Sequence, residues 1–304
     1  MPREMQPYLF SCWEEYTEKL EKICAAYDFP VQTLGESYLG RRIPMVRLGD
    51  GKHRILYVGT HHACEWLTGS LLLQFIDTYG TALQAGRCVC NVDLSFLYHT
   101  RSVWVIPVLN ADGTELALRH GDRFNPLFDR VLLANHGNTD FSKWKANGRG
   151  VDLNRNYHAG FADCMRQTTQ RMQLYGAPEG YCGKHPESEP EVLSLCQFIR
   201  RTVPLDLLLS FHTAGEEIFY TYKNYADARI RNIARILSRF SGYALSTPQP
   251  QAADGGLKDW YLQEYRAPAY TVECGRGKTP LPADQLPAIF ERLKPLLFCG
   301  AVLS

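Results

Sequence analysis

The 304-residue sequence predicts an α/β fold in which a sheet with parallel members carries helices on both faces. Ile55-Leu56-Tyr57-Val58 and Ser102-Val103-Trp104-Val105-Ile106-Pro107-Val108-Leu109 are continuous apolar runs of the kind buried on both faces of a sheet. A helical pattern follows each run. Strand-helix alternation of this sort builds parallel strands, and sites in such sheets gather at the strands' carboxyl ends.

Residues 11–27 place Trp13, Tyr16, Leu20, Ile23 and Cys24 at three- and four-residue spacing among Glu and Lys, which predicts an amphipathic helix. Ile43-Pro44-Met45-Val46-Arg47-Leu48 reads as a strand, and Gly49-Asp50-Gly51 then turns toward Ile55, a hairpin signal. After Val58 comes Gly59-Thr60-His61-His62-Ala63-Cys64-Glu65-Trp66. It is a strand-to-helix junction, because Leu71, Leu72, Phe75 and Ile76 fall at helical spacing beyond it. Asn110-Ala111-Asp112-Gly113-Thr114 turns from the second apolar run into another helix. Residues 120–138 are polar and rich in Asn, Gly and Pro, which predicts loop with a short helix at most.

Residues 144–157 carry Arg149, Arg155, Asn147, Asn154 and Asn156, interrupted by Gly148 and Gly150. They suit a loop that offers donors to an anion, or a solvated surface loop. Ser188 reads as the N-cap of the next helix, with Pro190 in its first turn and Glu191 completing a capping box. Glu187, Glu189 and Glu191 are therefore structural. Val192, Leu195 and Phe198 of that helix face inward.

His62 and Glu65 are three apart, so on one helical face they converge on a single ion. Imidazole nitrogen and carboxylate oxygen both bind zinc, and a catalytic zinc takes three protein ligands and leaves one position open. The plainer reading is a helix start, where Glu65 favours the dipole and the histidines meet solvent. The buried run Leu207-Leu208-Leu209-Ser210-Phe211-His212 ends on the histidine that supplies a third ligand, although a strand-end histidine also serves as a hydrogen-bonded structural residue. Glu273 lies within the otherwise apolar run Ala269-Tyr270-Thr271-Val272. A buried carboxylate there needs a partner or a job.

A formal net charge of +1 without a basic cluster argues against nucleic acid and against an anionic membrane as partner, and leaves a small molecule or peptide. No linker or composition break divides the chain. One domain over residues 1–304 is expected, with residues 1–34 a helical segment packed on it. The start Met1-Pro2-Arg3-Glu4-Met5-Gln6-Pro7 lacks a signal-peptide pattern, and no apolar run reaches membrane-span length. Ten scattered cysteines fit a reducing cytoplasm.

Taken in order, His62-x-x-Glu65, Pro107-Val108-Leu109-Asn110-Ala111-Asp112-Gly113, Asn154-Arg155, His212 and Glu273 resemble the zinc metallocarboxypeptidase family, carboxypeptidase A-like, from about residue 35 to residue 282. Within it, residues 144–154, Gly215-Glu216-Glu217-Ile218 and Gly256-x-Lys258-Asp259-Trp260 are similar to the bacterial γ-D-glutamyl-diaminopimelate peptidases, which cut that amide in peptidoglycan stem peptides. The resemblance implies a mixed, mostly eight-stranded twisted sheet flanked by helices, and one zinc per chain. It implies His62, Glu65 and His212 as zinc ligands and Glu273 as general base. Arg149 would polarise the scissile carbonyl, and Asn154 with Arg155 would grip a terminal carboxylate. The residue before Asp259-Trp260 forms the floor of the family's pocket for the side chain beyond the cut bond; here it is Lys258. Two positions depart from the digestive enzymes: Cys64 replaces an arginine, and Gln251 stands where a capping tyrosine is found. General trimming of C-terminal residues and non-catalytic peptide binding are the alternatives. A complete set of ligands with Glu273 speaks against the second.

Overall fold

The computed structural model describes residues 7–119, 126–248 and 254–303. The helix α1 (Trp13–Ala26) buries Trp13, Tyr16, Leu20 and Cys24, as its spacing predicts. Three strands follow, β1 (Val31–Glu36), β2 (Arg42–Leu48) and β3 (His53–Val58), and then the helix α2 (Leu67–Gln84). A small hairpin of β4 (Cys88–Val89) and β5 (Val92–Asp93) leads to α3 (Leu94–Thr100), β6 (Arg101–Ile106) and α4 (Ala111–Arg119). Residues 120–125 of the expected loop lie outside the described residues; beyond them stands the short α5 (Phe128–Ala134). Two short helices, α6 (Phe161–Arg166) and α7 (Gln170–Tyr175), precede α8 (Pro190–Thr202). The chain closes with β7 (Leu207–His212), β8 (Glu217–Phe219), α9 (Ala228–Ser241), β9 (Ala244–Ser246), α10 (Leu257–Tyr265), β10 (Ala269–Glu273) and α11 (Leu286–Gly300).

Eight strands form one sheet in the order β1-β2-β6-β3-β7-β10-β8-β9. The central four, β6, β3, β7 and β10, are mutually parallel, and antiparallel neighbours flank them. Helices cover both faces. Tyr57 packs on Phe75 of α2 and donates its hydroxyl proton to the Leu297 carbonyl of α11 at 2.8 Å. On the opposite face Trp104 meets Phe198 of α8 edge-on at 5.2 Å. All six residues of β7 are buried, and burying each such aliphatic or aromatic side chain is worth about 1.5–3 kcal/mol.

The turn Gly49-Asp50-Gly51 does not make a hairpin of β2 and β3, because β6 lies between them. The glycines are what admit it. A Cβ on Gly51 would sit 1.8 Å from the Thr100 carbonyl carbon, and Asp50 and Gly51 donate their N–H groups to the Tyr98 and Arg101 carbonyls. The hairpin partner of β2 is β1. The cap of α8 also differs from the sequence expectation: Glu189 occupies it, and Ser188 Oγ instead meets Asn156 and Glu189 at 2.9 Å each.

Candidate active site and metal centre

The carboxyl ends of the parallel strands share one edge, and the titratable side chains gather there. After β3 the chain closes a 3-10 turn over Ala63–Glu65, with His62 at its cap. Positions three apart eclipse in such a turn. His62 Nδ1 accordingly lies 2.9 Å from Glu65 Oε1. The turn is held from outside, since the N–H groups of Ala63 and Cys64 donate to the Lys145 and Trp144 carbonyls at 3.0 and 2.9 Å. Asn110 Nδ2 adds a bond to the His61 carbonyl at 2.9 Å.

His212 ends β7 and faces the same point. Its Nδ1 is 3.0 Å from Glu65 Oε2 and 3.3 Å from His62 Nδ1, while the Thr213 N–H donates to Glu65 Oε2 at 3.2 Å. Among the described residues His62, Glu65 and His212 are the group whose ligand atoms, all within 4.8 Å of one another, can hold a metal ion. Two imidazole lone pairs this close repel unless a proton or a cation lies between them. Burial alone would lower the pKa of His62, but Glu65 and Asp152 outweigh it and push it up to about 10. Burial likewise opposes the charge on Glu65, yet His62 and His212 hold its carboxyl well below the usual range. A cluster that captures a proton in this way has the surplus negative charge and the lone pairs that a divalent cation satisfies. Its donor set of two nitrogens and one carboxylate fits zinc.

Outer contacts fix the rings. His62 Nε2 lies 3.3 Å from Asp152 Oδ1, and Asp152 accepts the N–H groups of Asn154 and Gly180 at 3.0 Å each. His212 Nε2 lies 3.1 Å from Ser210 Oγ, which reaches His61 Nδ1 at 3.4 Å; His61 Nε2 is 2.9 Å from the Tyr157 hydroxyl. With Ser210 bonded to the far nitrogen of His212 and the Asp152 carboxylate facing that of His62, both Nδ1 atoms turn inward.

A cavity of about 190 Å³ opens over this group. Seven of the eight residues singled out from sequence line it: His62, Glu65, Asn154, Arg155, His212, Lys258 and Glu273. Glu273 ends β10 in register with His212. Burial first, and then the Glu65 carboxylate, push its pKa up to about 8. Asn154 Oδ1 accepts the Leu257 N–H at 3.1 Å, and Arg155 Nη1 donates to the Asn154 carbonyl at 2.9 Å. Cys64 is buried, and burial raises its thiol pKa far above the usual value. Gln251 lies outside the described residues.

Arg149 is the exception. The loop folds back at Gly150, whose φ is +79°, and Asn147 Oδ1 accepts the N–H groups of Arg149 and Val151 at 3.0 and 3.1 Å. The guanidinium therefore turns toward α8, donates to Glu189 Oε1 at 3.2 Å and stacks on Tyr38 at 4.4 Å. Lys145 lines the cavity instead, beside Arg155 and Lys258, and its ammonium is 2.7 Å from Glu179. Lys145 also borders an adjoining cavity of about 260 Å³, with His62, Asp152, Arg155 and Gln167. Sequence reading passed over Lys145 and Asp152. Their signal was position: Lys145 follows Trp144, which bonds the metal turn, and Asp152 stands two residues before Asn154.

Residues 16–295 match the zinc carboxypeptidase family, and the chain belongs to it. The protein is a zinc-dependent peptidase of the metallocarboxypeptidase type. It is 30% identical over 285 residues to γ-D-glutamyl-L-diamino acid endopeptidase 1 of Lysinibacillus sphaericus, an alignment covering 93% of this chain and 70% of that one. Its fold is that of bovine thrombin-activatable fibrinolysis inhibitor, solved in complex with tick carboxypeptidase inhibitor, at a TM-score of 0.73, 19% identity, and coverage of 97% and 98% of the two chains. Carboxypeptidase A from Helicoverpa armigera is also similar, at a TM-score of 0.68, 20% identity, and coverage of 96% and 73%.

Proposed function

We propose that this protein hydrolyses the amide between a γ-linked D-glutamyl residue and a diamino acid, the bond found in peptidoglycan stem peptides and muropeptides. The observation that carries the reading is Lys258 on the wall of the cavity, a cation where an apolar or a basic side chain would otherwise be accommodated. The relation to an endopeptidase for γ-D-glutamyl-L-diamino acids supports it.

In this reading His62, Glu65 and His212 hold one zinc. When bound, zinc supplies a Lewis acid that lowers the pKa of water toward ~7 and polarises a carbonyl. Glu273 takes the attacking water's proton and returns it to the leaving amine. Lys145, in place of Arg149, sets positive charge beside the developing oxyanion. Arg155 and Asn154 hold the carboxylate next to the cut bond, and Lys258 attracts a second, distal carboxylate.

All ten cysteines are free, which supports a cytoplasmic setting, and no described helix is long and apolar enough to cross a membrane. The chain acts as one peptidase unit, and of its N-terminal segment the described residues, with α1 and β1, pack on the rest. The second reading, trimming of C-terminal residues from ordinary peptides, is favoured by the Asn154–Arg155 pair. Incubation of the purified protein with L-Ala-γ-D-Glu-meso-diaminopimelate and with a standard C-terminal peptide, products read by mass spectrometry, separates the two. Release of diaminopimelate is expected; shortening of the standard peptide alone would replace the first reading with the second.

A further inference from the structure

At the start of α10 the cavity wall carries two adjacent opposite charges, and the roles above use one of them. Lys258 and Asp259 open α10, and both side chains line the cavity although they are only 4% and 5% exposed. Lys258 Nζ donates to the Thr221 carbonyl at 2.7 Å and to the Asp259 carboxylate, which leaves one of its three protons unassigned. Asp259 Oδ2 stands 3.2 Å from the place a Cβ on Gly256 would occupy, so the glycine keeps the space before that oxygen open.

Resting on the γ-glutamyl reading for the acyl half only, we propose that Lys258 and Asp259 together form a subsite for a zwitterionic side-chain terminus, one carrying both an ammonium and a carboxylate, on the leaving residue. Two opposite charges in contact act on a third charge as a dipole. A lone carboxylate gains from Lys258 and loses nearly as much to Asp259, and a lone ammonium meets the reverse. Neither recovers the water that it leaves. A zwitterion laid head to tail against the pair gives every charge a second charge-assisted hydrogen bond. The α-amino-acid end of meso-diaminopimelate has this chemistry. Lysine offers the ammonium alone, 2-aminopimelate the carboxylate alone, and norleucine neither.

The test is kcat/KM for these four leaving residues, each on a γ-D-glutamyl and on a benzoylglycyl acyl half, in the parent, Lys258→Met and Asp259→Asn. In the parent, diaminopimelate should lead both singly charged residues by at least tenfold. Lys258→Met should move the preference to lysine, and Asp259→Asn should move it to 2-aminopimelate, a crossover that a purely structural role does not produce. Equal rates for 2-aminopimelate and diaminopimelate in the parent would overturn the paired subsite, as would a uniform loss across all four residues in both variants. If a variant fails to fold, the parent series decides alone. An inert γ-D-glutamyl series beside a benzoylglycyl series in the expected order would sink the γ-glutamyl reading and leave the paired subsite standing.

Discussion

A carboxylate buried between two imidazoles exists only as part of a charge cluster, and each member of the cluster here has a separable task. With His212→Ala the remaining pair cannot complete a three-ligand site, so metal analysis should find zinc largely lost; full occupancy at unchanged affinity would end the assignment. Glu273→Gln keeps the shape and removes the proton acceptor. Zinc should stay while turnover falls about 10²–10⁴-fold, and a rate within tenfold of the parent would take Glu273 out of the chemistry. Lys145 and Arg149 make a contrasting pair. Lys145→Ala should cost about 10²–10³ in kcat with zinc retained, the usual loss for one oxyanion partner. Arg149→Ala should leave turnover near the parent's but uncover the buried Glu189 carboxylate, at a cost of about 1–3 kcal/mol in a denaturant titration. The reverse pattern would return the carbonyl role to Arg149.

At the level of elements, α8 carries a buried carboxyl group with no use in catalysis. Glu191 is fully buried, its Oε2 has no hydrogen-bond partner, and burial first, then Asp112 and Glu189, push its pKa up to about 8. The folded pKa lies above the unfolded value of about 4.3, so the folded state holds the extra proton between them. This contribution to stability is complete below about pH 4 and is lost as pH rises through about 8. Glu191→Gln should thus match the parent near pH 4 and exceed it near pH 9, by up to a few kcal/mol in urea midpoints. An equal gap at both pH values would contradict a proton held by Glu191. Elements of this kind are readable from sequence because their signal is local: β7 and β10 are largely apolar runs ending on His212 and Glu273, and α1 has its helical spacing. The place of β6 between β2 and β3 is not local. It depends on two glycines admitting another strand's backbone, which no window around Gly49 and Gly51 contains.

Across the whole molecule, the site was legible where function sits at the ends of buried strands. His212 and Glu273 terminate β7 and β10, and His62 and Glu65 follow β3, so strand assignment alone brings them to one edge. Arg149 lies away from the cavity for the opposite reason. It lies in a loop whose path is set by Gly150 and by Asn147, and the direction of its side chain follows from those bonds rather than from the motif around it. Lys145 came into the cavity because its own carbonyl, with that of Trp144, pins the metal turn. The adjoining cavities share His62, Lys145 and Arg155, and the proposed substrate has an acyl and a leaving half to accommodate. The claim that one half is a γ-linked glutamyl group is tested most directly by kcat/KM for L-Ala-γ-D-Glu-meso-diaminopimelate against its α-linked isomer, with the zinc-loaded protein. The γ-linked peptide should be preferred by at least tenfold and release free diaminopimelate; equal or faster cleavage of the α-linked isomer would contradict the account.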